Sequence, residues 1–227
     1  MKKNTVLEAQ SIFKTFHDPV EIEVLKDVTF NLTEGEYVSI IGKSGSGKST
    51  LLYILSTMDT DFTGDLTIDN INIREQSEKE LAAIRNEKIG FIFQFHYLLN
   101  EFTALKNVML PGLKLDKISE EELEHNAYKY MKDLGIDHLA LKMANQLSGG
   151  EKQRVAIARS LINDPLIIMC DEPTGNLDSK NARIVFDIFQ DLTQNYNKTL
   201  LVVTHDLDFA DKTERIIELD DGRIIRQ

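Results

Sequence analysis

A glycine-rich segment follows directly on an apolar run at residues 37–41 and leads into a helix-forming stretch. Its residues are Gly42, Lys43, Ser44, Gly45, Ser46, Gly47, Lys48, Ser49 and Thr50. They meet the spacing G-x-x-x-x-G-K-[ST], in which a loop between a buried strand and a helix surrounds phosphate groups. Glycines let consecutive backbone N–H groups face the phosphates, and the helix N-terminus adds its positive pole. A chance match in a chain of this size is on the order of one in a hundred by average residue usage. We therefore predict that this loop binds a nucleotide.

Polar side chains at the ends of apolar strands complete the predicted site. Within the loop, Lys48 is predicted to contact the β- and γ-phosphates, and Ser49 to ligate Mg²⁺. An apolar run at residues 166–170 ends in Asp171 and Glu172, and another at residues 199–203 ends near His205. Ligands of open α/β sheets bind at such strand ends. We expect Asp171 to hold Mg²⁺ through water, Glu172 to orient the attacking water, and His205 to reach the γ-phosphate. The alternatives are acids that cap the next element and a structural histidine.

The pattern of apolar residues predicts an α/β fold. Residues 6–13, 24–32 and 66–73 alternate apolar and polar positions, which indicates strands of a half-exposed sheet, with a turn at Asp69-Asn70. The nearly continuous apolar runs at residues 37–41, 166–170 and 199–203 are typical of parallel strands covered by helices on both faces. Residues 102–163 read as a mostly helical insert that includes a predicted capping box from Ser119 to Glu122, and residues 215–225 read as a hairpin with Asp221-Gly222 in its turn.

Charge and composition exclude several classes of protein. The chain has 26 Lys and Arg against 37 Asp and Glu, a net charge of −11, which disfavours a nucleic-acid-binding protein. Its apolar runs fall far short of the roughly 18 residues of a membrane span. Lys2 and Lys3 precede no apolar signal-peptide segment, and Cys170 is the only cysteine. We therefore expect neither secretion nor disulfides, and a reducing cytoplasm as the location.

The segment Leu147-Ser148-Gly149-Gly150-Glu151, followed by Lys152-Gln153-Arg154, resembles the signature of the ATP-binding-cassette (ABC) ATPases. Ser148 and Glu151 have the spacing of a capping box, so the two glycines open a helix whose N-terminal amides can bind an anion. One chain cannot bring this helix onto the phosphate that its own loop holds. The resemblance implies that the signature residues Ser148, Gly149, Gly150 and Glu151 contact ATP on a second subunit, and hence a homodimer of cassettes that forms on ATP binding.

The same resemblance implies further roles and an architecture. Phe16 corresponds to the aromatic residue that stacks on adenine, Gln94 to the glutamine that reaches Mg²⁺ and the catalytic water, and Asp178 to a residue of the loop that contacts the partner subunit. The implied ligands are ATP and Mg²⁺. The implied fold is a P-loop NTPase (RecA-like) core with a mixed sheet, an N-terminal antiparallel β subdomain and an inserted α-helical subdomain. The resemblance also implies that residues 1–227 form one nucleotide-binding domain, with about 1–95 and 164–227 as core and β subdomain and about 96–163 as helical subdomain.

The length of the insert and the residues after Gln94 indicate which branch of the family the chain resembles. Only 53 residues separate Gln94 from Ser148, which leaves room for a compact helical subdomain but not for the long coiled coil of DNA-repair cassettes. Residues 91–108 closely resemble the cassette of lipoprotein-releasing transporters and, less closely, those of macrolide exporters and of the cell-division cassette. The aromatic and leucine side chains here are expected to receive a helix of a membrane subunit, or else to lie in the core of the helical subdomain.

This resemblance implies an ATPase subunit that drives release of lipoproteins from the inner membrane. Its expected partners are integral membrane permease subunits of the lipoprotein-releasing type, with no nucleic acid. Its expected location is the cytoplasmic side of the inner membrane, held there through those subunits. The alternatives are the cassette of a macrolide or peptide exporter of the same branch, and a cell-division type cassette that regulates a membrane partner without transport.

Overall fold

The computed structural model describes residues 4–17 and 20–227. Within these residues the chain forms ten strands and seven α-helices. The strands are β1 (Thr5–Phe16), β2 (Ile22–Thr33), β3 (Tyr37–Ile41), β4 (Thr63–Ile68), β5 (Ile71–Asn72), β6 (Ile89–Ile92), β7 (Ile167–Asp171), β8 (Thr199–Val203), β9 (Arg215–Asp220) and β10 (Arg223–Arg226). The helices are α1 (Lys48–Leu55), α2 (Glu78–Lys88), α3 (Ala104–Leu115), α4 (Glu120–Asp133), α5 (Gly149–Leu161), α6 (Ser179–Gln194) and α7 (Leu207–Ala210).

Two sheets of different character divide the strands. The first is antiparallel, with the order β2-β1-β4-β5. The second has the order β10-β9-β3-β8-β7-β6, parallel except for the antiparallel β9–β10 pair. All residues of β3, β7 and β8 are buried, as expected for parallel strands covered on both faces. The predicted α/β class, with a mixed sheet beside an antiparallel one, is confirmed.

The parallel strands bring distant segments to one edge of the second sheet. In β3 and β8, Ile40 pairs with Val203, and Val203 pairs in turn with Asp171 of β7. The carboxyl ends of these strands therefore lie side by side, although they are far apart in the sequence. The segments that follow them, beginning at Gly42, Glu172 and Thr204, meet there. In α/β sheets this edge is where ligands bind.

Helices α3, α4 and α5 form a second hydrophobic core of their own. Its buried side chains include Leu105, Val108, Met109, Leu123, Ala127, Met131, Leu139, Val155 and Ala158. The predicted start of α4 is present, because the Ser119 hydroxyl accepts the Glu122 N–H at 3.2 Å. The reciprocal bond from the Ser119 N–H to the Glu122 carboxylate is not formed, so the predicted capping box is only half made. The boundaries of the helical subdomain near residues 96 and 163 stay a prediction.

Cys170 lies in β7 with no solvent exposure. Burial raises the pKa of its thiol well above the usual value, so the thiolate form is suppressed. The side chain packs among the apolar residues of the core that faces α6. No helix in the part of the chain that the structure describes is both long and apolar enough to span a membrane.

Candidate functional site

The glycine-rich loop joins β3 to α1 in a backbone conformation that depends on glycine. Gly42 has φ 153°, and a Cβ atom there would collide with the carbonyl oxygen of Leu219. Gly47, the N-cap of α1, has φ 100° and its Cβ would lie 2.8 Å from a methyl group of Leu25. Side chains other than hydrogen are disfavoured at such positions. The loop therefore keeps its open curvature, and α1 begins at its end with exposed backbone N–H groups.

Lys48 lies on the inner side of this loop and is 8% exposed. Its ammonium group donates hydrogen bonds to the carbonyl oxygens of Gly42 at 2.8 Å and Lys43 at 2.9 Å. These bonds hold a positive charge over the concave face of the loop, where an anion would bind. The Lys43 side chain is exposed, so only its backbone takes part in this arrangement.

Asp171, the last residue of β7, contacts the first turns of α1. Ser49 Oγ donates to Asp171 Oδ1 at 3.1 Å, and the Tyr53 hydroxyl donates to Oδ2 at 3.4 Å. Burial raises the pKa of Asp171, and the bonds from Ser49 and Tyr53 act in the opposite direction. A hydroxyl and a carboxylate that already touch are a suitable pair of oxygen ligands for Mg²⁺, which keeps several waters and phosphate oxygens besides a few protein ligands.

Glu172 and His205 form a second pair at the same edge. His205 Nδ1 lies 2.8 Å from Glu172 Oε2, and the His205 backbone N–H donates to the same oxygen at 3.3 Å. The tautomer of His205 that carries its proton on Nδ1 can donate to this carboxylate oxygen. Glu172 has φ 48°, a left-handed conformation that costs on the order of 1–3 kcal/mol and is common at functional sites. The backbone and the ring of His205 thus hold the same carboxylate oxygen of Glu172 in place.

A cleft of about 520 Å³ lies between the glycine-rich loop and the Glu172–His205 pair. It is lined by Val24, Ser44, Gly45, Gly47, Lys48, Ser49, Thr50, Gln94, Glu172 and His205. Among the residues predicted to bind ATP or Mg²⁺ or to act in catalysis, Phe16, Gly42, Lys43, Ser46 and Asp171 do not line it. Gly42 and Lys43 contact Lys48 from behind, and Asp171 lies behind Ser49.

Two residues of the site were missed in the sequence. Val24 lines the cleft from β2, and nothing in an alternating strand distinguishes it. Tyr53 contacts Asp171 and lies four residues after Ser49 on α1, so the helical spacing that places the two on one face could have identified it.

The signature residues lie away from the cleft. Ser148 and Glu151 form both bonds of the predicted capping box, from Ser148 N to Glu151 Oε2 at 2.7 Å and from Glu151 N to Ser148 Oγ at 3.4 Å. Ser148 and Gly149 are exposed, whereas Gly150 is buried and approaches the side chain of Asn181 so closely that a Cβ atom would collide with it. Asp178 caps α6 by accepting the Asn181 N–H at 2.8 Å. The signature and the predicted dimer loop are therefore neighbours on one surface.

A phosphate-binding loop between a parallel strand and a helix, with an acidic pair at the end of another strand of that sheet, defines a P-loop nucleoside triphosphatase. The sequence profile of the ABC transporter family matches residues 25–175. The chain belongs to the ABC transporter family. The prediction of an ATP-binding-cassette ATPase is confirmed.

Several known proteins are similar to this chain over nearly its whole length. The lipoprotein-releasing system ATP-binding protein LolD of Cytophaga hutchinsonii is 49% identical over 220 residues, which are 97% of this chain and 99% of that protein. LolD of Bacteroides fragilis is 45% identical, with coverage of 97% and 100%. The dimeric structure of the ABC transporter cassette MJ0796 matches this chain with a TM-score of 0.90 and 43% sequence identity. The match covers 97% of this chain and 97% of the MJ0796 chain. A post-hydrolysis dimer of MJ0796 bound to ADP and Pi has a TM-score of 0.89 and 42% identity.

Proposed function

We propose that this chain is the ATP-hydrolysing subunit of a transporter that releases lipoproteins from the inner membrane. The observation that carries this proposal is the similarity to LolD proteins at 49% and 45% identity across almost the full length of both chains. Integral membrane subunits would bind the substrate, and the cassette would be held through them at the cytoplasmic side of the membrane. The division into a core with its β subdomain and a helical subdomain at about 96–163 is part of the same proposal.

The cleft supports in-line hydrolysis of the γ-phosphate. Lys48 and the backbone N–H groups of the loop would hold the β- and γ-phosphates and stabilise the charge that develops on them. Glu172 would accept a hydrogen bond from water and orient it, with His205 holding the carboxylate in place. The water oxygen would bond to the γ-phosphorus while the bond from phosphorus to the bridging oxygen breaks, and that oxygen would keep the electron pair as ADP leaves. The proton lost by the water would pass through Glu172 to solvent, which yields ADP and phosphate. Gln94, also in the cleft lining, would position the same water.

Mg²⁺ fits the oxygen groups at the base of the cleft. Ser49, Gln94 and, through water, Asp171 are the residues that we propose to hold it. When bound, the ion would neutralise charge on the β- and γ-phosphate oxygens. In the described part of the chain no group of three or more His, Cys, Asp or Glu side chains has metal-binding geometry. The Asp171 carboxylate would contribute together with the neutral ligands and the phosphates of the nucleotide.

Two copies of the chain would enclose two nucleotides. Because Ser148 and Gly149 are exposed and lie outside the cleft, the N-terminus of α5 has no phosphate to bind within one chain. In a head-to-tail homodimer it would bind the ATP of the other subunit, with Asp178 at the contact between subunits. The dimeric MJ0796 cassette, similar over 97% of this chain, supports this arrangement.

Replacing Ser148 by arginine tests the contact across the dimer. We expect the variant to bind ATP as the wild type does, because Ser148 lies outside the cleft, yet to form no dimer with ATP. ATPase activity should fall by about 10²-fold, as when one preorganised donor to a reacting group is removed. Light scattering with and without ATP measures the dimer. Ser119→Arg is the matched control, since it also removes an N-cap hydroxyl, from α4. An unaffected Ser148→Arg dimer would disprove the role.

Residues 91–108 run from the end of β6 through an exposed loop into the helical core. Phe95, Tyr97 and Leu99 are 65%, 62% and 46% exposed, whereas Leu105 and Val108 are buried. The loop is nonetheless held in place. Arg159 of α5 donates to the carbonyl oxygens of His96 at 2.6 Å and Tyr97 at 2.8 Å. We propose that the three exposed side chains receive an apolar helix of the membrane subunit, and that Arg159 connects this contact to the signature helix.

Reconstitution with membrane subunits tests the proposed function. Lipoprotein-releasing membrane subunits should co-purify with the chain and stimulate its ATPase, whereas macrolide-exporting subunits should do neither. Phe95→Asp should reduce co-purification at least tenfold, because it places a charge in an apolar contact. Tyr128→Asp, on the surface of α4 and 36% exposed, is the control. Association with macrolide-export or cell-division membrane proteins instead would contradict lipoprotein release and leave the ATPase chemistry intact.

A further inference from the structure

Lys14 of β1 is a buried lysine outside the cleft. Its side chain is 3% exposed, and its ammonium nitrogen lies 2.9 Å from Asp59 Oδ2 and 3.2 Å from Asp61 Oδ2. It also donates to the backbone carbonyl of Asp61 at 2.5 Å. Asp59 Oδ1 is a fourth acceptor, 3.0 Å away, so the three donors of the ammonium group are all used within this cluster. Lys14 therefore has no donor left for a phosphate group.

The Lys14 ammonium also lies over one face of the Phe16 ring, 4.9 Å from its centroid. The two residues are two positions apart on β1, so their side chains point to the same face of the sheet. This distance is within the range of a cation–π contact. Phe16 is 44% exposed, so the lysine fixes the ring from one side while part of it remains open to solvent.

The position of Phe16 relative to the cleft follows from strand pairing. Phe16 pairs with Ile22 of β2, and Val24, two residues further along β2, lines the cleft. Val24 lies at a register shift, between the pairs Lys14–Leu25 and Thr15–Glu23, so Ile22 and Val24 are at most about 7 Å apart along the strand. The ring thus lies beside the cleft but outside the phosphate-binding part, which is where a nucleobase would extend from bound phosphates.

We propose that Lys14 is a positioning and specificity-determining residue for the nucleobase. Held by Asp59 and Asp61, it fixes the Phe16 ring and draws electron density toward its own side, so that the other face favours an electron-rich purine. This inference rests on the proposed nucleotide-binding function and deepens it. It assigns base selectivity to a charge that touches neither the base nor the phosphates.

The test compares ligands with and without a base, none of which is hydrolysed. Isothermal titration with the full chain and Mg²⁺ measures the affinities for ADP, CDP and pyrophosphate. In Lys14→Met the Kd for ADP should rise by about 3- to 10-fold, the size of a cation–π contact. The Kd for pyrophosphate should not change, and the preference for ADP over CDP should fall. Lys14→Arg keeps a cation that can stack on the ring, so it should retain the preference.

Matched variants separate this role from a structural one. Lys88→Met removes another lysine paired with an aspartate, Asp69 at 2.6 Å, and should change none of the three affinities. If Lys14→Met weakens ADP and pyrophosphate equally, or weakens neither, the proposal is overturned. If Phe16→Ala leaves ADP binding unchanged, the proposal falls while nucleotide binding stands; wild-type protein that binds no ADP would contradict the proposed function itself. Should Lys14→Met not fold, Asp61→Asn, at an 87% exposed side chain, should lower the ADP preference in the same direction.

Discussion

Replacing Glu172 by glutamine leaves ATP bound and stops its hydrolysis. The carboxylate that would orient the attacking water is lost, while Lys48, Ser49 and the loop that hold the phosphates are unchanged. Loss of a general base or of a water-orienting carboxylate typically costs 10²–10⁴-fold in rate, and we expect a decrease in that range. Phosphate release measures the rate, and titration with ATP measures the affinity. Since ATP persists, the variant should accumulate as a dimer at millimolar ATP, which size-exclusion chromatography detects.

Glu124→Gln provides the control for this substitution. Glu124 is exposed on α4 and does not line the cleft. The substitution makes the same change from carboxylate to amide there, so ATP hydrolysis should proceed at the wild-type rate. His205→Gln should have an intermediate effect, because it removes the side chain that orients Glu172 but keeps the carboxylate. A Glu172→Gln protein that hydrolyses ATP normally would refute the assignment of this residue.

Replacing Lys48 by alanine should weaken nucleotide binding strongly. The variant loses a buried ammonium group that is already held over the loop by the carbonyl oxygens of Gly42 and Lys43. Hydrogen bonds to charged groups contribute about 1.5–3 kcal/mol each. Loss of the contact with the phosphates should therefore weaken ATP binding by roughly 100-fold, as measured by isothermal titration. Hydrolysis falls with it because the bound state is no longer populated.

Lys43→Ala separates the specific position of Lys48 from general positive charge. Lys43 lies in the same loop, but its side chain is exposed and only its backbone faces Lys48. We expect this variant to retain most of its ATP affinity. Thermal unfolding of both variants checks that the loop and α1 remain folded. Equal losses of affinity in the two variants would show that the charge of the loop, rather than the placement of Lys48, binds the nucleotide.

Prediction of the fold was best where the signal was local and periodic. The buried runs that became β3, β7 and β8 were predicted to within a residue at each end. The strands predicted over residues 66–73, with a turn at Asp69-Asn70, are present as β4 and β5. They differ at the ends: β4 begins earlier, at Thr63, and β5 ends at Asn72, whose side chain accepts the Arg74 N–H where a short 3₁₀ turn begins. Helix α2 was not predicted. Ser77 and Glu80 form a capping box at its start, and their spacing in the sequence could have indicated it.

The motifs of the site were readable because each is a contiguous run whose backbone conformation its own residues dictate. Glycines curl the loop before α1, and Ser148 with Glu151 starts α5. The sequence did not predict how side chains from different motifs are oriented toward one another. The bond between His205 and Glu172 depends on the neighbouring positions of β7 and β8 in the sheet.

The sequence by itself therefore determined which chemical groups are present, that a loop and two strand ends carry them, and which family the chain resembles. Only the tertiary structure decided which groups touch: Tyr53 with Asp171, Val24 with the cleft, and Lys14 with Phe16. The physical reason is that local conformation is set by dihedral preferences and hydrogen bonds within a few residues. Contacts between segments are set instead by strand order and register, which follow from burying the apolar faces of the whole chain together.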